Sequence, residues 1–308
     1  MRSAAGNRYL AEMGGRRTNE QAAVAAEQAK ADEQARADAE TAAQFEAEEA
    51  ELIASGHAEE AAALHAAREE AARQKELERQ QAAEAAAAAQ LQAANAAAEI
   101  GPDALGLSAD VRDYGAIRGA MEHVVDRFGK MDIVVSGAAG NFLAPVLGMS
   151  ANAFRTVVDI DLNGTFNVFR GCHDLLNTPG ASLIAITAGQ AVNASALQAH
   201  ACAAKAGINQ LIRVLALEWG PHVRVNGISP GPIANTEGMA RLAPDADSRQ
   251  KHYDRIAMKR WGEIEEVAEC AVFLSSPAAG YITGTILDCD GGSQVGDASR
   301  IDLAKGMA

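Results

Sequence analysis

The stretch AKAGINQLIRVLALEWGPHVRVNGISPGPI, residues 204–233, decides the fold of this chain. It reads as a long amphipathic helix, then a short β-rich apolar run, then a loop punctuated by Pro230, Gly231 and Pro232. Working outward, the same alternation recurs. Upstream lie ALGLSADV (104–111), YGAIRGAMEHVVDRFG (114–129), MDIVVSGAAG (131–140), NAFRTVVDIDLNGTFNVFRGCHDLL (152–176) and ASLIAITAG (181–189). Downstream lie EIEEVAECAVFLSS (263–276) and GTILDCDGG (284–292). Strands alternating with helices imply right-handed crossovers and a parallel sheet covered on both faces. The expectation is a doubly wound α/β domain with ligands at the carboxyl ends of its strands.

The rest of the 308-residue chain has a different texture. Between Gln21 and Ile100 there are 17 acidic and 6 basic residues, a net of −11 within a whole-chain charge of −14. The same span holds 34 alanines, no proline and one glycine, Gly56. Such a composition predicts helix, in two pieces of about 19–54 and 58–99 broken at Ser55-Gly56-His57. Large apolar residues are too sparse to sustain the heptads of a coiled coil. An alanine-lined hairpin or a solvated helix is expected instead. The domain division read from this contrast is a helical extension over 1–85 and an α/β domain over 86–308.

These features exclude several classes. No basic patch suits phosphate-driven nucleic-acid binding, and no apolar run reaches membrane-spanning length. The first twenty residues lack the apolar core of a signal peptide. Cys172, Cys202, Cys270 and Cys289 form no CxxC pair and no zinc-spaced cluster. Reduced thiols in a cytoplasmic protein are the expectation.

Residues 104–293 carry a set of motifs in a shared order. These are Asp110-Val111 after a predicted strand, Gly137-Ala138-Ala139-Gly140, Lys205 on the long helix, and Arg224-Val225-Asn226 leading into Pro230-Gly231-Pro232-Ile233. Thr283-Gly284 and Asp290-Gly291-Gly292 close the series. In this order they resemble the short-chain dehydrogenase/reductase family, and within it the 2,4-dienoyl-CoA reductases of peroxisomal type and their bacterial relatives. The segments AAGNF (138–142), VVDIDLNGTFN (157–167), HACAAKAG (200–207) and EWGPHVRVNGISPGPIANTEGMARL (218–242) carry the closer resemblance.

The resemblance implies a Rossmann-like sheet, a nicotinamide cofactor (NADPH or NADH), an acyl-CoA-type substrate and a homo-oligomer, a tetramer by the family pattern. It implies cofactor contacts from Asp110, Val111, Ala138, Ala139, Gly140, Lys205, Pro230, Gly231 and Ile233. Asn141 and Phe142 would border the acyl chain. The family's tyrosine, serine and asparagine fall at Ala201, Ala188 and Asp161. Alanine donates no proton, so reduction of a ketone loses its usual acid. Reduction of a conjugated C=C bond needs instead a stabilised thioester dienolate and a proton delivered to carbon. Lys205 would hold the ribose hydroxyls, and either Asp161 organises proton delivery or Asn163 donates to the thioester oxygen. His200 reads as a packing or rim residue.

One family element has no counterpart. The TGxxxGxG phosphate loop between the first strand and first helix is missing, and the alanine-rich segment lies in its place. The domain is therefore expected to lack its first two strands, leaving an unpaired edge at 131–136 and a strand at 104–109 without neighbours. Two other classes stay open: a catalytically silent scaffold associating through its acidic helices, and an acyl-CoA-binding module without cofactor.

Overall fold

A computed structural model describes residues 36, 39–41 and 43–300. The part of the first predicted helix at 19–35 lies outside the described residues. Helix continues through 43–54 (α1) and resumes as α2, Ala58–Ile100. The break falls at Gly56, whose φ of +86° is the left-handed conformation that ends helices cheaply at glycine. Across it His65 meets Glu49 at 3.2 Å and Arg68 meets Glu46 at 3.5 Å, so α1 and the start of α2 form an antiparallel hairpin. Ala61 is the only residue of α2 that is buried. Exposed ion pairs of this kind contribute little each, and this hairpin owes its helicity mainly to alanine propensity. The chain divides into two compact units at Ala88.

The second unit carries a four-stranded parallel sheet in the order β1 (Ile133–Ser136), β2 (Ala181–Ile186), β3 (Val223–Pro230), β4 (Ile286–Cys289). Val134 pairs with Leu183, Leu183 with Val225, and Gly227 with Ile286. Helices α3 (Tyr114–Phe128), α5 (Gly164–Cys172) and α6 (Ala199–Trp219) supply the larger core. There Ile117, Val168, Phe169, Ile208 and Ile212 pack on Val134, Leu183 and Val225. The alternate residues Ile184 and Ile228 join Leu274 of α9 (Ile264–Ser275) in a separate cluster. Strand residues therefore divide by parity between two layers, as a doubly wound sheet requires. A third cluster, Met239, Ala243, Ile256 and Trp261, forms around α7 (Glu237–Leu242) and α8 (Ala246–Arg255).

The 104–109 segment is corrected by the structure: it is extended but not a strand. A strand needs a neighbouring ladder, and none is present beside it. The tail of α2 ties it down instead. Gln90 Nε2 donates to Gly106 O at 3.0 Å, and Ser108 N donates to Gln90 Oε1 at 2.9 Å. Gly106 lies so close to the helix that a Cβ there would stand 2.0 Å from Ala93 O. The expected free edge is seen on β1, which ends the strand order and pairs with β2; on its uncovered face Ile133 and Val135 are 52% and 50% exposed, while Val134 and Ser136 are buried.

Candidate active site

The carboxyl ends of β1 and β2 open toward one buried ion pair. Lys205 Nζ lies 3.2 Å from Asp161 Oδ2, with Lys205 8% and Asp161 1% exposed. Each partner has a local reason for its place. Lys205 sits within Ala203-Ala204-Lys205-Ala206-Gly207 on α6, where small residues let the neighbouring chain approach; a Cβ on Gly207 would meet Leu162 Cδ2 at 2.7 Å. Its ammonium also donates to Ile186 O at the end of β2, at 3.2 Å. Asp161 lies in a π-helical turn, Asp159–Asn163, between α4 (Ala151–Val158) and α5. Widened turns of this sort recur at functional sites because they re-aim one side chain without ending the helix.

Gly140 N donates to Asp161 Oδ1 at 2.7 Å, which ties the 137–140 turn after β1 to the same carboxylate. Behind it, Thr165 Oγ1 donates to Asp161 O at 2.7 Å and accepts from Ser136 Oγ at 3.3 Å. A buried charge pair survives only when both partners are further hydrogen-bonded, and this one is.

Around this pair the predicted residues are placed as follows. Asn141 Nδ2 donates to Gln198 Oε1 at 2.7 Å. The Phe142 ring lies 4.2 Å, centroid to centroid, from the ring of His200. Ala138 and Ala139 are exposed on the turn that Gly140 closes. Pro230, Gly231 and Ile233 line an apolar cavity of about 560 Å³, together with Val135 of the free edge, Ile186 and the α9 residue Ile264. Gly231 cannot carry a side chain: a Cβ there would stand 2.6 Å from Asp290 Cα.

Three of the predicted residues, Asn163, Asp110 and Val111, lie away from the pair. Asn163 is exposed, and its Nδ2 donates to Asp159 Oδ1 at 2.7 Å. Asp110 is paired with Arg112, whose guanidinium holds the carboxyl below its ordinary value. The cap of α3 is Asp113, accepting from Ala116 N. Val111 packs against α5, where a Cβ on Gly164 would meet its Cγ2 at 2.7 Å. The four cysteines are free, and burial pushes the Cys172 thiol up to about 12.

Two further groups, Gln198 and His200, lie beside Asn141 and Phe142. Gln198 had no signal beyond lying near His200. His200 is fully buried, with neither ring nitrogen hydrogen-bonded.

The structure also allows a test of whether a nicotinamide nucleotide suits these residues. The nicotinamide and ribose end fits: a buried ammonium stands at the end of β2, Asp161 Oδ2 has no hydrogen-bond partner, and an apolar cavity opens beside the Pro230–Ile233 loop. Among the described residues no helix is long and apolar enough to cross a membrane, and no cluster of His, Cys, Asp and Glu suits a metal ion.

The chain matches the sequence model of the family described as “Enoyl-(Acyl carrier protein) reductase” over residues 75–294. Among characterised relatives, the peroxisomal 2,4-dienoyl-CoA reductase of Rattus norvegicus is 44% identical over 196 residues, 63% of this chain and 67% of the relative. The enzyme of the same name from Pongo abelii is 43% identical over 195 residues, with the same two shares. A probable 2,4-dienoyl-CoA reductase of Bacillus subtilis is 35% identical over 187 residues, 59% of this chain and 74% of the relative. The chain thus spans about two thirds of the length of the first two relatives, 67%. A crystal structure of a short chain dehydrogenase from Bacillus anthracis superposes with a TM-score of 0.56 at 32% identity, covering 65% of this chain and 81% of that one. A gluconate 5-dehydrogenase from Burkholderia cenocepacia, solved with NADP and tartrate, gives 0.56 at 26% identity, covering 60% and 73%. Parallel sheet, buried lysine and matched sequence agree: the chain belongs to the short-chain dehydrogenase/reductase family of oxidoreductases.

Proposed function

We propose that this chain reduces the conjugated C=C bond of a 2,4-dienoyl-CoA or a related enoyl thioester, with NADPH as its cofactor. One observation carries the reading: a buried Lys205–Asp161 pair stands where alanines, Ala201 and Ala188, leave no hydroxyl acid. When bound there, a reduced nicotinamide supplies the hydride. Lys205 would hold its ribose hydroxyls, and Gly231 and Ile233 would border its ring. Gly140 would border the nucleotide from the β1 side, with Ala138 and Ala139 exposed toward it. Asp110 and Val111 would reach only the adenosine end.

The chemistry left to the protein follows from the substrate. Reduction at the terminal vinylic carbon leaves a dienolate whose charge spreads to the thioester oxygen. The ammonium of Lys205 lies on the side where that charge develops and favours it. Protonation must then occur at carbon, and Asp161, which faces Lys205 Nζ and accepts from Gly140 N, orients the water that gives up the proton. Breaking that water's O–H bond forms the C–H bond at the α-carbon. The hydroxide takes a proton from Lys205, which is resupplied from solvent. Asn141 and Phe142 border the acyl chain.

The test is turnover of 2,4-hexadienoyl-CoA by the full chain with NADPH and, separately, NADH. Loss of absorbance at the nicotinamide band, with a mono-unsaturated thioester as product, is expected. Absence of turnover with both cofactors sinks the reading. The exposed β1 edge favours a second one, an acyl-CoA-binding module, for which acyl-CoA binds but neither nucleotide does. A homotetramer, checked by light scattering, and a cytoplasmic location, checked by fractionation, complete the proposal.

A further inference from the structure

His200 is 0% exposed, yet neither its Nδ1 nor its Nε2 has a hydrogen-bond partner. Leaving a buried imidazole unpaired is costly, so such a group in a native site calls for an explanation. Its surroundings suggest one. Phe142 covers the ring at 4.2 Å. Asp161 lies close enough to interact with it electrostatically, opposing the burial that lowers the imidazole's proton affinity. Asp161 Oδ2 is itself buried with no hydrogen bond, although it faces Lys205 Nζ at 3.2 Å. The His200 imidazole, at the residue just before Ala201, is therefore a buried polar group with no partner, and Asp161 Oδ2 has the Lys205 ammonium alone beside it.

We infer that His200 is a positioning residue: its imidazole and Asp161 Oδ2 together hold the water whose proton reaches the α-carbon of the dienolate. The inference rests on the reductase reading. A ring N–H or lone pair on one side and a carboxylate oxygen on the other give that water the two polar partners that a buried water requires. The Phe142 ring fixes the imidazole and excludes other solvent. Proton and electron balance is that given above: water loses a proton to carbon, and Lys205 restores it. His200 ends each turnover in the state in which it began.

The experiment compares the full chain with H200F and H200Q, using 2,4-hexadienoyl-CoA and NADPH. H200F keeps the ring's bulk and removes its polarity; H200Q keeps an amide able to hold water. In H200F, kcat is expected to fall about tenfold or more while KM for the thioester stays within about threefold, since the lost interaction acts only in the reaction. H200Q is expected to recover at least about a third of the wild-type kcat, which a packing role would not give. A kcat for H200F within about twofold of wild type, or an H200Q no faster than H200F, overturns the inference.

A second readout needs no turnover. In histidine-¹⁵N-labelled chain, D161N is expected to shift the ring-nitrogen resonances of His200, assigned by their loss in H200Q. Unmoved resonances overturn the inference. Wild type inactive with both nucleotides, but with His200 resonances responding to D161N, would sink the reductase reading and leave the His200–Asp161 coupling standing.

Discussion

At the residue scale, the decisive feature is a charge placed where charges are expensive. Lys205 is nearly buried and its partner Asp161 more so. Removing one member of such a pair strands the other, at about 3–5 kcal/mol. K205M is therefore expected to lower urea-unfolding stability by about that amount, and K205M/D161N to regain part of it. K205M should also weaken NADPH binding by about ten- to a hundredfold, the cost of one charge-assisted contact at about 1.5–3 kcal/mol. Fluorescence titration of the full chain checks this; unchanged affinity would remove Lys205 from the cofactor site. Lys205 was legible in the sequence because a lysine flanked by alanines and glycine needs a reason to be there. Asn163 was as plausible on paper as Asp161. The π-helical turn separates them, turning Asp161 inward and leaving Asn163 exposed.

At the element scale, two loops matter. The Pro230–Ile233 loop passes so near Asp290 that G231A puts a methyl 2.6 Å from a backbone atom. Backbone yields less than a flexible side chain, so G231A should cost about 1–3 kcal/mol in denaturant unfolding. By contrast, a Cβ at Gly227 meets the tips of Ile212 and Ile286 at 2.8 Å and backbone, Ala185 O, no nearer than 3.5 Å, and G227A should cost less. The start of α9 offers a pH test. Glu266 accepts from Arg260 Nη1 at 2.7 Å and Nη2 at 2.6 Å, and from Glu263 N at 2.8 Å. These bonds, the Arg260 guanidinium first, hold its carboxyl at about 2 instead of 4.5. A lowered native pKa gives stability that is complete above the unfolded value and is lost as pH falls through the folded one. E266Q should therefore flatten the fall in thermal midpoint between pH 4.5 and about 2; an unchanged slope refutes the linkage.

At the scale of the whole molecule, the chain joins two physically unlike units that divide at Ala88. One is a hairpin of exposed helix, with Ala61 the single buried residue of α2; the other holds all three apolar clusters. Stability should reside in the second. Deleting residues 1–85 is expected to leave a soluble chain with one cooperative unfolding transition, its midpoint little changed, since the tail that holds Gly106 is kept. A broad or absent transition in calorimetry would show that the extension is part of the folding unit. The same variant tests association: if the acidic helices build the oligomer, light scattering should report a smaller assembly.

Much of this could be read from residue order alone. The parallel sheet, its helices and the lysine of the site follow from local rules, in which apolar periodicity sets each element and proline and glycine set the turns. The site's position at the strand ends follows from topology. What only the tertiary structure decided depended on partners distant in sequence. Residues 104–109 have strand composition, yet a strand exists only with a ladder beside it, and here Gln90 supplies two hydrogen bonds in its stead. His200 is buried as a packing residue would be, but that both its nitrogens go unpaired is a fact of which the sequence carries no record. Asp161 became distinguishable from Asn163 only in the packed structure: two residues apart on a helix, at about 200°, they face opposite ways, and long-range contacts decide which of them faces the core. Composition and period determine the elements; pairing and rotation, settled by long-range contact, determine the chemistry.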